Sequence, residues 1–142
     1  MKGSAYVVAA IWLASASNAV SAKAHLLQTV DLNGMSTEGG EAELYLSKGP
    51  IRGLCSIKVV HYGEMGKTTY EFFFQRHLID AIKLEFEYSA PIYEDPNFKS
   101  KLAKTTTLRS KLGRQTLRPD FEEYKALFQT NALAKCGSGA RP

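Results

Sequence analysis

Eleven consecutive residues, Leu78 to Tyr88, alternate in character. Asp80, Ile82, Leu84, Phe86 and Tyr88 share one side of an extended chain, opposite Ala81, Lys83, Glu85 and Glu87. A period of two marks a strand. With one side for a core and the other for water, it marks an antiparallel sheet packed on one face. Two further strands precede it. Leu54 to Tyr62 sets Cys55, Ile57, Val59 and His61 on one face, and Gly63-Glu64-Met65-Gly66 supplies two glycines for a tight reversal. Lys67 to Phe74 is rich in Thr, Tyr and Phe, which suit a pleated surface. Gln75-Arg76-His77 links it to Leu78 without a glycine. A meander of three consecutive strands is the simplest arrangement.

The flanks extend this pattern. Ala24 to Asp31 is apolar enough for a first strand, broken by Asn33-Gly34. Met35 to Gly40 reads as a loop, and Glu41 to Leu46 alternates again until Gly49-Pro50. Pro91, Pro96 and Asn97 mark a connection from Ser89 to Ala103. Thr105 to Leu112 reads as another strand, turned at Gly113-Arg114 into Gln115 to Arg118, and Arg109, Lys111, Arg114 and Arg118 crowd this hairpin. A helix closes the chain. Pro119 stops the strand before it, Asp120 is a suitable N-cap, and Glu123 completes a capping-box spacing. Phe121, Tyr124, Leu127 and Phe128 form its apolar stripe, with Lys135 and Gly137 at its end. The expected fold is α+β, an antiparallel β-meander sheet packed by one C-terminal helix.

A chain of 142 residues with 44% hydrophobic side chains makes one domain and is too apolar for disorder. Met1 to Ala22 reads as a secretory signal: Lys2, an apolar run from Ala5 to Ala14, then small polar residues ending in Val20-Ser21-Ala22. The run is too short to span a bilayer, which takes roughly 20 apolar residues. No cysteine stands directly after the cleavage site, where Lys23 follows, which argues against a lipid-anchored form. Cleavage near Ala22 leaves residues 23–142 as a single domain, ordered from about residue 24 to 136, in the periplasm or outside the cell. An oxidising compartment lets Cys55 and Cys136 pair. The rival use of Cys55, a reactive pair with His61, has no catalytic spacing behind it.

The residues that carry chemistry are sparse. His25, His61 and His77 show no metal spacing, and no cysteine cluster completes one, so neither a metal nor a cofactor is expected. No serine sits on a nucleophile turn and no phosphate loop occurs. His77 reads as a solvated turn residue and His61 as a partly buried, hydrogen-bonded one. Glu85 and Glu87, two apart on a strand face, form a carboxylate pair able to do acid/base work. Their plainer reading is a solvent-facing row with Lys83 as counter-charge. Glu64, in the glycine-flanked turn, is a weaker candidate of the same kind.

The net charge of +4 is a mild basic excess. Its concentration at Arg109, Lys111, Arg114 and Arg118 reads most plainly as a solvated charged face; its functional reading is an anionic partner such as a phosphate-bearing envelope polymer, an acidic protein or a membrane surface. Nucleic acid is not expected. The aromatics Tyr70, Phe72, Phe74, Phe86, Tyr88 and Tyr93 are expected mostly in the core. If one helix leaves part of the sheet bare, the remaining row becomes an exposed apolar groove of the kind that binds partners.

Lys58-Val59-Val60-His61-Tyr62-Gly63-Glu64-Met65-Gly66-Lys67, followed by Tyr70, Phe72 and Phe74 and then Tyr88-Ser89-Ala90-Pro91-Ile92-Tyr93, resembles a pattern in small exported bacterial proteins. In those, largely uncharacterised, an aromatic-rich β-meander carries a Y-G-E-x-G-K turn and a later Y-x-x-P-I-Y segment. The resemblance implies export and the meander, and brings no catalytic residue. It departs from the pattern at Gln75-Arg76-His77, where a glycine-containing turn is usual. The leading expectation is an exported, non-enzymatic binding protein for a protein or envelope component, an enzyme inhibitor being one version. The alternatives are a small hydrolase using Glu85, Glu87 or His61, and a small-ligand carrier.

Overall fold

A computed structural model describes residues 24–36 and 38–137. The expected leader and its cleavage site lie outside the described residues. Six strands follow in chain order: β1 (His25–Asp31), β2 (Gly40–Leu46), β3 (Cys55–Tyr62), β4 (Gly66–Phe74), β5 (Leu78–Tyr88) and β6 (Ser100–Thr107). Each pairs antiparallel with its chain neighbours, so the sheet is an uninterrupted meander. Two helices follow, α1 (Lys111–Lys125) and the short α2 (Thr130–Leu133). No helix among the described residues is long and apolar enough to cross a membrane.

Turn chemistry sets the registers. Gly63 N–H donates to the Gly66 carbonyl at 2.8 Å and closes the β3–β4 reversal. At Gly66 itself a Cβ would stand 2.1 Å from the Phe86 carbonyl oxygen, so the close approach of β4 to β5 requires glycine there. The Gln75–His77 link turns without glycine, through a bond from Gln75 N–H to the His77 carbonyl at 3.3 Å. A bulge takes up the misfit: Phe73 faces Asp80 and Phe74 faces Leu78, which leaves Ile79 unpaired and 55% exposed.

The helices cover one face of the sheet. Leu44, Cys55, Ile57, Phe72 and Phe74 on the strands meet Leu117 and Phe121 on α1, all nearly inaccessible to water. Phe121 and Tyr124 of the expected stripe are buried on α1, but the helix ends at Lys125 instead of running on to Lys135: Leu127 and Phe128 pack against the core from the turn before the separate α2. The Cys55–Cys136 disulfide, with Cα atoms 5.6 Å apart, ties the end of α2 to the start of β3. Beside it, Gly137 N–H donates to the Gly53 carbonyl at 2.8 Å. Closing a loop of 81 residues stabilises the fold by at most ~4.5 kcal/mol on the chain-entropy view.

The alternation of β5 is present, but its faces are divided unexpectedly. Ala81 is buried opposite Phe72, and so Lys83, Glu85 and Glu87 continue along the helix side of the sheet. The carboxylates therefore do not form a row on the open face. Ile82, Leu84 and Phe86 occupy that open face instead, each only half-buried. Among the aromatics, Phe72 and Phe74 are buried, Tyr70, Phe86 and Tyr88 are partly exposed, and Tyr93 is 68% exposed.

The C-terminal third requires a larger correction. There is no hairpin over Thr105–Arg118: β6 begins earlier, inside the expected connection, and α1 starts at Lys111. The N-cap is Ser110, whose hydroxyl accepts from Gly113 N–H at 2.9 Å. Asp120 and Pro119 both lie within the helix. Gly113 is no turn: a Cβ there would lie 1.8 Å from the Thr107 carbonyl oxygen, so its lack of a side chain lets α1 approach β6. Pro119 removes one N–H and normally destabilises a helix interior by about 3 kcal/mol. The packing of Leu117, Phe121 and Tyr124 on either side of it offsets that loss.

Candidate functional site

At the end of the covered face away from the disulfide, the strands carry polar residues and α1 no longer seals against them. An open concavity of about 830 Å3 results, lined from the sheet by His61, Thr68, Tyr70, Glu85 and Glu87 and from α1 by Glu123 and Tyr124. Cross-strand pairing assembles it: His61 stands opposite Thr68, and Thr68 opposite Glu85. The three sequence candidates His61, Glu85 and Glu87 are thus neighbours in space. Glu64 is not among the lining residues.

The floor consists of neutral hydrogen-bonding groups. His61 Nε2 lies 2.6 Å from the Tyr124 hydroxyl, with the imidazole tautomer deciding which of the two donates. Burial lowers the His61 pKa, against a smaller opposing pull from the Glu123 carboxylate. Burial likewise pushes the Tyr124 phenol well above its ordinary range, helped by Tyr70, Asp120 and Glu123. Tyr70 is raised mainly by burial, and the nearby Lys83 ammonium counteracts it. Asp120, also raised by burial, is eased by the same lysine. Lys83 Nζ is 3.4 Å from Glu85 Oε1 and 5.6 Å from the Tyr70 ring centre, so the expected counter-charge of Glu85 is in place. No group of three or more His, Cys, Asp or Glu side chains able to hold a metal occurs among the described residues.

One rim of this end joins the two segments that the sequence singled out. Tyr88 N–H donates to the Met65 carbonyl at 2.8 Å and Ile92 N–H to the Glu64 carbonyl at 3.2 Å. The Glu64 carboxylate facing Tyr93 raises its phenol pKa. The Tyr62–Lys67 turn and the Tyr88–Tyr93 segment are therefore one local structure. Glu64 serves in it as an anchor.

The basic residues lie elsewhere. Lys111, Arg114 and Arg118 recur at helical spacing on one exposed flank of α1, and Arg109 precedes the N-cap. Arg114 Nη1 donates to the Arg109 backbone carbonyl at 2.6 Å, which fixes the Arg114 guanidinium against the segment before the N-cap. None of the four is within ion-pair reach of a carboxylate among the described residues. The first turn of α1 contains no acidic residue either, so Lys111 and Arg114 stand unneutralised at the positive end of the helix dipole.

Tyr124 lines the concavity without being a sequence candidate for the site, and Lys83 and Asp120, outside the lining, act on Tyr70 and Tyr124 through their charges. The signal for Tyr124 was its place in the apolar stripe, as the one member with a hydroxyl to satisfy. Lys83 appeared only as a counter-charge, and Asp120 only as a cap. No protein family, curated protein or solved structure matches this chain.

Proposed function

We propose that the protein is an exported, non-enzymatic binding protein that recognises an anionic protein or envelope component through Arg109, Lys111, Arg114 and Arg118. One observation carries the reading. Unpaired cations occupy the helix end where the dipole disfavours them, and acidic residues there would stabilise α1 by about 0.3–1 kcal/mol. A surface kept against the stability of its own helix fits selection for a contact. The disulfide supports an oxidising compartment.

The test separates binding from folding. Lys111→Glu should raise the melting temperature slightly while lowering recovery of partners from envelope extract. Equal recovery of every partner by the wild type and by a Lys111→Glu/Arg114→Glu variant sinks the proposal.

A second reading, a hydrolase or small-ligand carrier, rests on His61, Glu85 and Glu87 lining one concavity of about 830 Å3. It requires that Glu87→Gln or His61→Gln abolish turnover of ester, glycoside or peptide substrates, or capture of a small ligand. Unchanged turnover and capture in both variants remove it.

A further inference from the structure

Among the described residues, nothing covers the sheet face turned away from α1: every buried strand residue belongs to the helix side, and none on the opposite side is buried. At its centre Val60, Ile82 and Leu84 floor a seat of about 270 Å3, edged by Glu41, Glu43 and Glu71. The register adds Asp31 beside Glu41 and Asp80 beside Phe73, so five carboxylates share this face. Two lysines accompany them: Lys58, paired with Glu71 at 3.8 Å, and Lys67, over the Phe86 ring. In a chain of net charge +4, this face is net acidic, while the α1 flank from Lys111 to Arg118 carries only basic charges before Glu122 follows.

We infer that a second copy of this chain covers the open face, laying its α1 flank across the acidic seat of the first. The charge is complementary within one sequence. The spacing also fits. Seven helical residues carry Lys111 to Arg118 over about 10.5 Å, and two strand spacings carry Glu43 on β2 to Glu71 on β4 over about 10 Å. The apolar floor takes the methylene stems of the basic side chains while their charged ends reach the carboxylates. Six strands about 4.8 Å apart make a face roughly 24 Å wide, which accommodates the 15 residues of α1, about 22 Å long. The two surfaces differ, so the contact is head-to-tail and each added copy leaves one surface of each kind free. This goes beyond the anionic-partner reading and shares only the α1 flank with it. Self-association and capture of an anionic partner then compete for the same cations.

Sedimentation velocity of the purified chain tests it. Species larger than the monomer should grow with concentration at low salt and shrink near 1 M salt, where the screening length is about 3 Å. Glu41→Lys and Arg114→Glu should each return the protein to monomer. An equimolar mixture of the two should associate again, because the intact α1 flank of one variant meets the intact open face of the other. Glu41→Lys should still capture an anionic partner, so loss of self-association and loss of the proposed function are told apart. A monomer at every concentration and salt overturns the inference. So does association that neither variant weakens, or an open face that takes only an unrelated basic polypeptide.

Discussion

At the disulfide end of the covered face, Cys55, Phe72 and Phe74 pack against Leu117 and Phe121 with almost no water access. Along the same strands, six residue pairs beyond Cys55 and Phe74, His61, Thr68 and Glu85 stand on the same face and remain half-open. Backbone and pairing are alike at the two ends; only the side chains change. Where the inward positions are apolar, the helix seals and the end stabilises the fold. Where they become polar, full burial would strand their charges, so the layers part and leave a wet concavity. Alternation alone thus settles which side a residue occupies, and residue type settles whether that side closes.

The contrast can be broken most sharply at the dry end. Phe72 touches Phe121 and Tyr124, with ring centres 5.7 and 6.0 Å away, and Phe72→Ala should destabilise by about 3–5 kcal/mol in urea unfolding. A loss under 1 kcal/mol would mean that this end is not the reservoir of stability. Cys136→Ser should lower stability by about 2–4 kcal/mol, and an unchanged melting temperature would remove the crosslink from the account. At the wet end the effects should be small. Tyr124→Phe keeps the ring and removes the partner of His61 Nε2, with an expected loss of about 0.5–1.5 kcal/mol. Glu87→Gln, exposed on the rim, should stay within about 0.5 kcal/mol of the wild type.

Acid sharpens the same comparison. Because burial holds the His61 pKa below 6.5, the unfolded chain takes up a proton there that the folded chain resists. Stability from this residue is complete above pH 6.5 and falls as the pH drops from there toward the lowered folded value. Asp120 has the opposite sign: raised above 3.8, it favours the folded chain at low pH and less so as the pH rises through its folded pKa. Melting curves of His61→Gln against the wild type should separate the two, the variant losing less between neutral and mildly acid pH. Parallel curves would show that burial does not perturb this histidine.

The strands β1 to β5 were legible because period-two patterning and glycine turns act locally, and their ends fall within a residue or two of expectation. The start of α1 was not. Gly113 and Pro119 are breakers by intrinsic preference, and both sit in this helix because tertiary packing outweighs that preference. Counted as a small inward residue, Gly113 extends the stripe of Leu117, Phe121 and Tyr124 one turn back toward the cap at Ser110. The half-burial of His61 was legible from its strand position. Its meeting with Tyr124, 63 residues away, depends on how α1 crosses the sheet, which no local pattern encodes.

Each strand pairs only with its immediate predecessor and successor, so the meander can assemble hairpin by hairpin, each closing one short connection. The sulfur bond follows another schedule, since Cys136 arrives 81 residues after Cys55. During synthesis or translocation the first thiol is present long before its mate, and the bond can form only once nearly the whole chain is available. Oxidation is thus a record of completion: a chain truncated before residue 136 keeps the sequence of every hairpin yet carries an orphan thiol, open to mixed disulfides.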